Sequence, residues 1–250
     1  MIQRITISPQ QCQGTSIALT QPQVHYLVRV LRLKGGDRFI AQDGNTQQWL
    51  AALTSQPELA EIIETLAPLL LCSPAPPLRL IAAMPKGNSF DQVVRQTTEL
   101  GVTHIYPVFS ARSLLKPSDN KLARWQKIAE EAAEQSERLT VPSIFAPVRF
   151  QQCLEQADWT GLRYICVARS HSSSAQNPDL LTHLLEHLIS ADSLSVTLAI
   201  GPEGGWTPEE ITVANHYHYK TTSLGSAILR AVTAPITALS LVTAARELLI

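Results

Sequence analysis

The sequence predicts a two-part α/β protein, a small β-barrel carrying one helix followed by a larger parallel sheet covered by helices on both faces. Three observations carry this. Four prolines stand in the ten positions Pro68 to Pro77, which no regular helix or central strand tolerates, so the boundary falls there, between domains 1–72 and 78–250. Before it, short runs alternate apolar and polar residues; after it, strand and helix patterns take turns.

In the first part, Ile2 to Ile7, Ser16 to Leu19, Arg38 to Gln42 and Gln48 to Leu53 read as strands, with Asp43-Gly44 supplying the turn of a hairpin. One helix, Gln21 to Leu31, opens after Thr20 with Pro22 in its first turn. In the second part the strands are Leu78 to Met84, Val102 to Phe109, Ser143 to Val148, Tyr164 to Ala168, Ser195 to Ile200 and Thr221 to Leu224. Ser89-Phe-Asp-Gln92 and Thr207-Pro-Glu-Glu210 read as capping boxes, the first opening a helix that ends at Gly101. Such a sheet binds ligands at the carboxyl ends of its strands, so function is sought in the loops that follow them.

Composition narrows the classes. Lys and Arg number 20 against 21 Asp and Glu, a net charge of -1, so a polyanion would be held by a local basic patch rather than by a global field. Cys12, Cys72, Cys153 and Cys166 match neither paired metal spacing nor a dense disulfide framework, which points to a reducing cytoplasm. The alternating start, Met1 to Ile7, does not read as a signal peptide, and the apolar stretch from Ala234 to Ile250 is interrupted by Arg246 and Glu247, reading as a buried helix and not a membrane span.

The most informative loop is Ile200, Gly201, Pro202, Glu203, Gly204 and Gly205, between an apolar strand and a capped helix. It suits close backbone approach to a ligand, with positive φ expected at Gly204; a plain turn would need one glycine, not three. A second loop, Leu224 and Gly225 through Ile228, Leu229 and Arg230, could line a flat pocket for an aromatic ring or simply plug the core. Gln135, Ser136 and Arg138 gather polar groups at a helix end, where a solvated face is the bland alternative. His183-Leu-Leu-Glu186-His187 has the order of an inverted zinc-peptidase motif, but the leucine stripe Leu180, Leu181, Leu184, Leu185 and Leu188 places these three on an outer face, and no metal is expected. His216 and His218 have no partner at ligand spacing, and the serines around His171 read as a loop. In the first part, Arg29 and Arg32 lie one turn apart on the helix and could pair with Asp37 or Asp43.

With these residues in place, the chain resembles the ribosomal RNA small subunit methyltransferase E family over nearly its whole length. The matching segments are Arg4, His25 to Arg32 with Gly36-Asp37, Lys86, Thr98 to Val102, Glu134 to Arg138, Gly201 to Gly205 with Glu209 or Glu210, and Leu224-Gly225 through Arg230 to Thr233-Ala234. The resemblance implies an N-terminal PUA-like barrel for RNA and a C-terminal trefoil-knotted SPOUT methyltransferase domain that binds S-adenosylmethionine. It implies a homodimer that methylates uracil N3 of 16S rRNA in the 30S subunit. Donor contacts fall on Ile200 to Gly205, Leu224, Gly225 and Ile228 to Arg230, and on the loop after Ala168. RNA contacts fall on Arg4, Arg29, Arg32, Lys34, Lys86, Gln135, Ser136 and Arg138. The sequence departs from the family at Ala227, where an arginine is usual, and at Val232, where a glutamate is usual; both changes remove polar groups, while a backbone-built donor site survives them.

Uracil N3 carries a proton at neutral pH and loses it near the transition state, so the reaction needs a base or donors that stabilise charge on O2 and O4. Arg138 and Arg230 are the candidates for anion stabilisation, and an arginine cannot be the base. Glu203, Glu99 and Glu134 are the carboxylates near these motifs, and all three stay open. The rival readings are a non-catalytic RNA-binding or assembly protein and a related methyltransferase acting on another RNA.

Overall fold

The structure, a computed structural model, describes residues 2–45, 47–66, 76–85, 87, 89–113, 120–155, 160–168, 179–188 and 195–248. The chain divides into two compact units, Met1–Ser73 with Glu130–Val141, and Pro74–Ala129 with Pro142–Ile250. The segment Glu130–Val141 therefore groups with the first unit, which the sequence pattern does not foretell.

The first unit holds β1 (Arg4–Thr6), β2 (Cys12–Gln13), β3 (Ser16–Ala18), α1 (Gln21–Val24), β4 (Arg38–Gln42), β5 (Gln48–Leu53) and β6 (Leu59–Leu66). Its sheet runs β1-β4-β5-β6-β3-β2, with β1 parallel to β4 and the other pairs antiparallel. Among the described residues β1 and β2 are its two edges, so the expected closed barrel is corrected to an open, half-barrel sheet. Period-two alternation turns Ile5, Ile17, Phe39, Ala51, Leu53 and Ala60 into one core. β6 was not legible: Ala60 is the single buried residue of its eight, so its place is fixed by pairing with β5 and β3 and not by a hydrophobic pattern. The helix starts as expected, with Thr20 and Gln23 forming a capping box, but beyond Val24 it widens to a π-helix over His25–Val30, and Arg32 ends the segment at φ 58. The buried amides of Gln42 and Gln48 bond each other, and Gln42 Nε2 also donates to the Arg138 carbonyl, which keeps both satisfied.

The second unit holds β7 (Leu78–Ala83), α2 (Ser89–Glu99), β8 (His104–Phe109), α3 (Asn120–Gln135, grouping with the first unit from Glu130 on), β9 (Ser143–Ile144), β10 (Val148–Arg149), α4 (Phe150–Glu155), β11 (Leu162–Cys166), α5 (Leu180–Leu188), β12 (Val196–Ile200), α6 (Pro208–His216), β13 (Lys220–Thr222) and α7 (Thr233–Glu247). All strand pairs are parallel, in the order β10-β8-β7-β12-β11-β13, with β9 also on β8. The expected strand Ser143 to Val148 is two short pieces, because Pro147 has no N–H to give the ladder. Ser89 is already the first helical residue of α2 instead of the cap before it. That helix closes as expected, with Gly101 at φ 85 and Val102 N donating to Thr97 O. The Thr207 box forms in full: Thr207 Oγ1 accepts from Glu210 N, and the Glu210 carboxylate accepts from Thr207 N. β12 is buried at every residue, the signature of a central parallel strand. Among the described residues no helix is long and apolar enough to cross a membrane.

Candidate functional site

Loops following β8, β11, β12 and β13 enclose a cleft of about 270 Å³ in the second unit. Its floor is the carboxyl end of the sheet, where Cys166 and Ile200 pair in register. Burial pushes the Cys166 thiol up to about 12, so it is a neutral apolar wall and not a nucleophile. Over this floor runs the loop Gly201–Gly205, closed by a turn in which Gly205 N donates to Pro202 O at 2.8 Å. The positive φ lies at Gly205 (68) and not at Gly204, which corrects the sequence expectation. Gly204 and Gly201 are glycine for space: a Cβ at Gly204 would stand 3.1 Å from Arg112 Cδ, and one at Gly201 3.2 Å from Trp206 Nε1. That indole nitrogen is buried without a hydrogen-bond partner among the described residues, and its ring stacks on Phe150 at 4.2 Å. The opposite wall, Leu224 to Leu229, turns at Gly225 with φ 111, open only to glycine.

Among the described residues, each one expected at the donor site lines this cleft except Arg230, which lines an adjoining cavity of about 670 Å³ instead. The Arg230 carbonyl accepts from Thr233 N and Ala234 N, starting α7, while Leu229 and Ala231 on either side of it line the cleft. Glu203, Ile228, Leu229 and Ala231 form a wall common to both cavities; Ser89, Gln92, Val232 and Thr233 complete the second. Of the two departures from the family, Ala227 lines the cleft and Val232 the second cavity.

Sequence reasoning missed Arg112. Its guanidinium donates to the carbonyl of Gly204 and lies 3.5 Å from that of Trp206, while Ala111 N donates to Glu210 at 2.7 Å, so the loop after β8 is tied both to the glycine loop and to the first turn of α6. The rule that ligands gather beyond strand carboxyl ends would have found it, since Arg112 stands three residues after Phe109.

The remaining expected residues are elsewhere. Arg29, Arg32 and Lys34 of the first unit are exposed and, with Arg38, carry no ion pair among the described residues, so neither Arg29 nor Arg32 pairs with Asp37 or Asp43. Arg4 is different: its guanidinium meets Glu137 at 3.0 Å with 15% of the side chain exposed. Gln135, Ser136 and Arg138 also belong to the first unit, and none of them lines either cavity. Ser136 Oγ bonds back to the Ala132 carbonyl, and Arg138 N closes the helix end on Ala133 O after Glu137 at φ 56. Lys86 and the segment after Ala168, with His171 and its serines, lie outside the described residues.

His183 corrects the expected outer face of α5: it is 17% exposed with its ring against Tyr164, while Leu180 and Leu184 of the leucine stripe are fully buried and Leu181 and Leu185 partly so. Ligand atoms of His183, Glu186 and His187 lie within 4.8 Å of one another. However, the Lys220 ammonium stands 2.9 Å from His187 Nε2, donating to that lone pair and placing a cation where a metal would sit.

The cleft suits an adenosine sulfonium donor: its lining is mostly apolar, and two glycines leave room where a Cβ would reach Arg112 or Trp206. Comparison with known proteins agrees. The RNA methyltransferase domain profile matches residues 73–243, and the RNA methyltransferase PUA domain profile matches 19–64. The ribosomal RNA small subunit methyltransferase E of Synechocystis sp. is 42% identical over 99% of this chain and 79% of its own length. That of Bacillus subtilis is 32% identical over 98% and 96%. The crystal structure of the Neisseria gonorrhoeae ribosomal RNA small subunit methyltransferase E bound to S-adenosyl methionine superposes with a TM-score of 0.77, at 27% identity and 96% coverage of both chains. An α/β domain with a cleft at the carboxyl end of its sheet, a PUA-like unit before it, and relatives that match almost the whole of this chain lead to one assignment: the chain belongs to the ribosomal RNA small subunit methyltransferase E family.

Proposed function

We propose that the protein transfers the methyl group of S-adenosylmethionine to N3 of a uridine in 16S rRNA of the assembled small subunit, acting as a cytoplasmic homodimer. The observation that carries this is the cleft itself, formed by two glycine-containing loops at the carboxyl edge of a parallel sheet. The donor supplies a methyl group on a sulfonium, and the chain's own contribution is to hold it, orient the acceptor and exclude water. Arg230, in the second cavity, is placed to stabilise charge developing on the uracil carbonyls. The strand order β8-β7-β12-β11-β13, with ligand-binding loops after β11, β12 and β13, supports the knotted SPOUT class.

The first unit is the RNA platform in this reading, with Arg29, Arg32 and Lys34 as phosphate contacts and Arg4, Gln135, Ser136 and Arg138 beside them. The exposure of Leu248 (75%) and the half-buried Ile236 and Leu241 on α7 supports a dimer interface on that helix. A second reading, a non-catalytic RNA-binding protein, draws on Ala227 and Val232, which leave both cavities short of the polar groups usual in the family. The deciding experiment offers labelled S-adenosylmethionine to 30S subunits lacking the modification and maps the product. Label at uridine N3 of 16S rRNA is expected; donor binding without transfer would favour the second reading.

A further inference from the structure

We propose that the 670 Å³ cavity receives the acceptor base and that Glu203, on the wall it shares with the cleft, takes the N3 proton; this rests on reading the cleft as the donor site. A donor methyl and an acceptor nitrogen must meet in line within about 3–3.5 Å, so the two ligands need contiguous cavities with a common wall. Glu203, Ile228, Leu229 and Ala231 are that wall.

The chemistry of the second cavity matches a uracil edge. Uracil offers O2 and O4 as acceptors flanking N3–H, and the lining offers donors in Ser89, Gln92, Arg230 and Thr233 above the apolar Ile228, Leu229 and Val232. The first turns of α2 and α7, carrying Ser89 and Thr233, border it, and their dipoles favour the negative charge that O2 and O4 gain as N3 is deprotonated.

Geometry also chooses among the carboxylates. Glu134 is committed within the first unit, accepting from Thr6 N. Glu99 is the last residue of α2, ten positions beyond Ser89, about 15 Å along the helix from the end that borders the cavity. Glu210 is held by its capping box and by Ala111 N. Among the described residues Glu203 is the single carboxylate lining either cavity, and it lines both. The step balances without a further reactant. The N3 proton passes to the Glu203 carboxylate, the N3 electron pair forms the N–C bond to the methyl carbon, and the C–S pair returns to sulfur. The products are N3-methyluracil, S-adenosylhomocysteine and a protonated Glu203, which releases its proton to water.

The test combines donor calorimetry with single-turnover transfer to unmodified 30S subunits over a range of pH. Glu203→Gln should bind the donor within about twofold of the parent and lose about 10²–10⁴ in rate, the usual share of a general base. It should also lose the fall in rate that the parent shows on acidification, and Glu203→Asp should restore that acid limb at reduced rate. Glu99→Gln should keep the parent's rate and profile. A Glu203→Gln protein with parental rate and acid limb overturns the proposal, as does a Glu99→Gln protein that loses them. A parent that binds no donor removes the donor-site reading, and this proposal with it.

Discussion

The two units build recognition surfaces from different parts of the chain. The cleft of the second unit is shaped by loop backbone that Gly201, Gly205 and Gly225 permit, whereas the cationic surface of the first is the exposed side chains of Arg29, Arg32, Lys34 and Arg38. A main-chain site tolerates loss of neighbouring side chains and fails when atoms are added. A side-chain site loses affinity by increments, one counterion for each phosphate it neutralises. This is why Ala227 and Val232 are compatible with an intact donor cleft.

Adding atoms at the tightest backbone turn should have the largest effect. Gly225→Val puts a β-branched residue at φ 111, a strain of about 1–3 kcal/mol or more, and should lower donor affinity at least about tenfold by calorimetry while the circular dichroism spectrum is unchanged. Parental donor affinity in that variant would break the main-chain account. Arg112→Ala should come next: it removes the guanidinium that holds the Gly204 carbonyl, and a charged hydrogen bond of about 1.5–3 kcal/mol predicts roughly tenfold to a hundredfold weaker donor binding.

On the other side of the comparison, Arg32→Ala and Lys34→Ala should leave donor affinity alone. Each should weaken 30S binding and flatten its logarithmic salt dependence by about 0.7–0.9 for every phosphate that the variant no longer neutralises. An unchanged salt slope would show that the first unit does not bind RNA through this surface.

The smallest effect concerns stability. Burial raises the Glu134 carboxyl above its ordinary 4.5, more than the hydrogen bond from Thr6 N lowers it. A raised folded pKa gives stability that is present below 4.5 and is lost as pH rises through the higher folded value. Glu134→Gln removes that loss, so the variant's melting temperature should gain on the parent's between about pH 4 and pH 7. A constant difference would contradict it.

The same division decided what could be read from sequence. Glycine permits backbone angles that other residues avoid and proline fixes φ, so the Gly201–Gly205 loop, the Thr207 cap and the Gly101 stop were legible from residue type alone. The parallel sheet was legible from its apolar runs, such as β12. β6 was not, because its seven incompletely buried residues carry no alternating pattern and its position comes from pairing with the preceding β5 and with the distant β3. Arg112 was within reach of the strand-end rule, but its hold on the Gly204 carbonyl, like the exclusion of Arg230 from the cleft, was illegible, because each depends on which loops meet, and that is set by strand order. Arg4 looked like a free cation until Glu137, 133 positions away, came beside it.

The most direct test of the central claim is a crystal structure of the protein grown with S-adenosylhomocysteine. The account predicts the ligand in the cleft between Gly201–Gly205 and Leu224–Leu229, held chiefly by backbone groups, with its sulfur directed at the wall that carries Glu203. A ligand bound elsewhere, or one held in the cleft chiefly by side-chain charges, would contradict it.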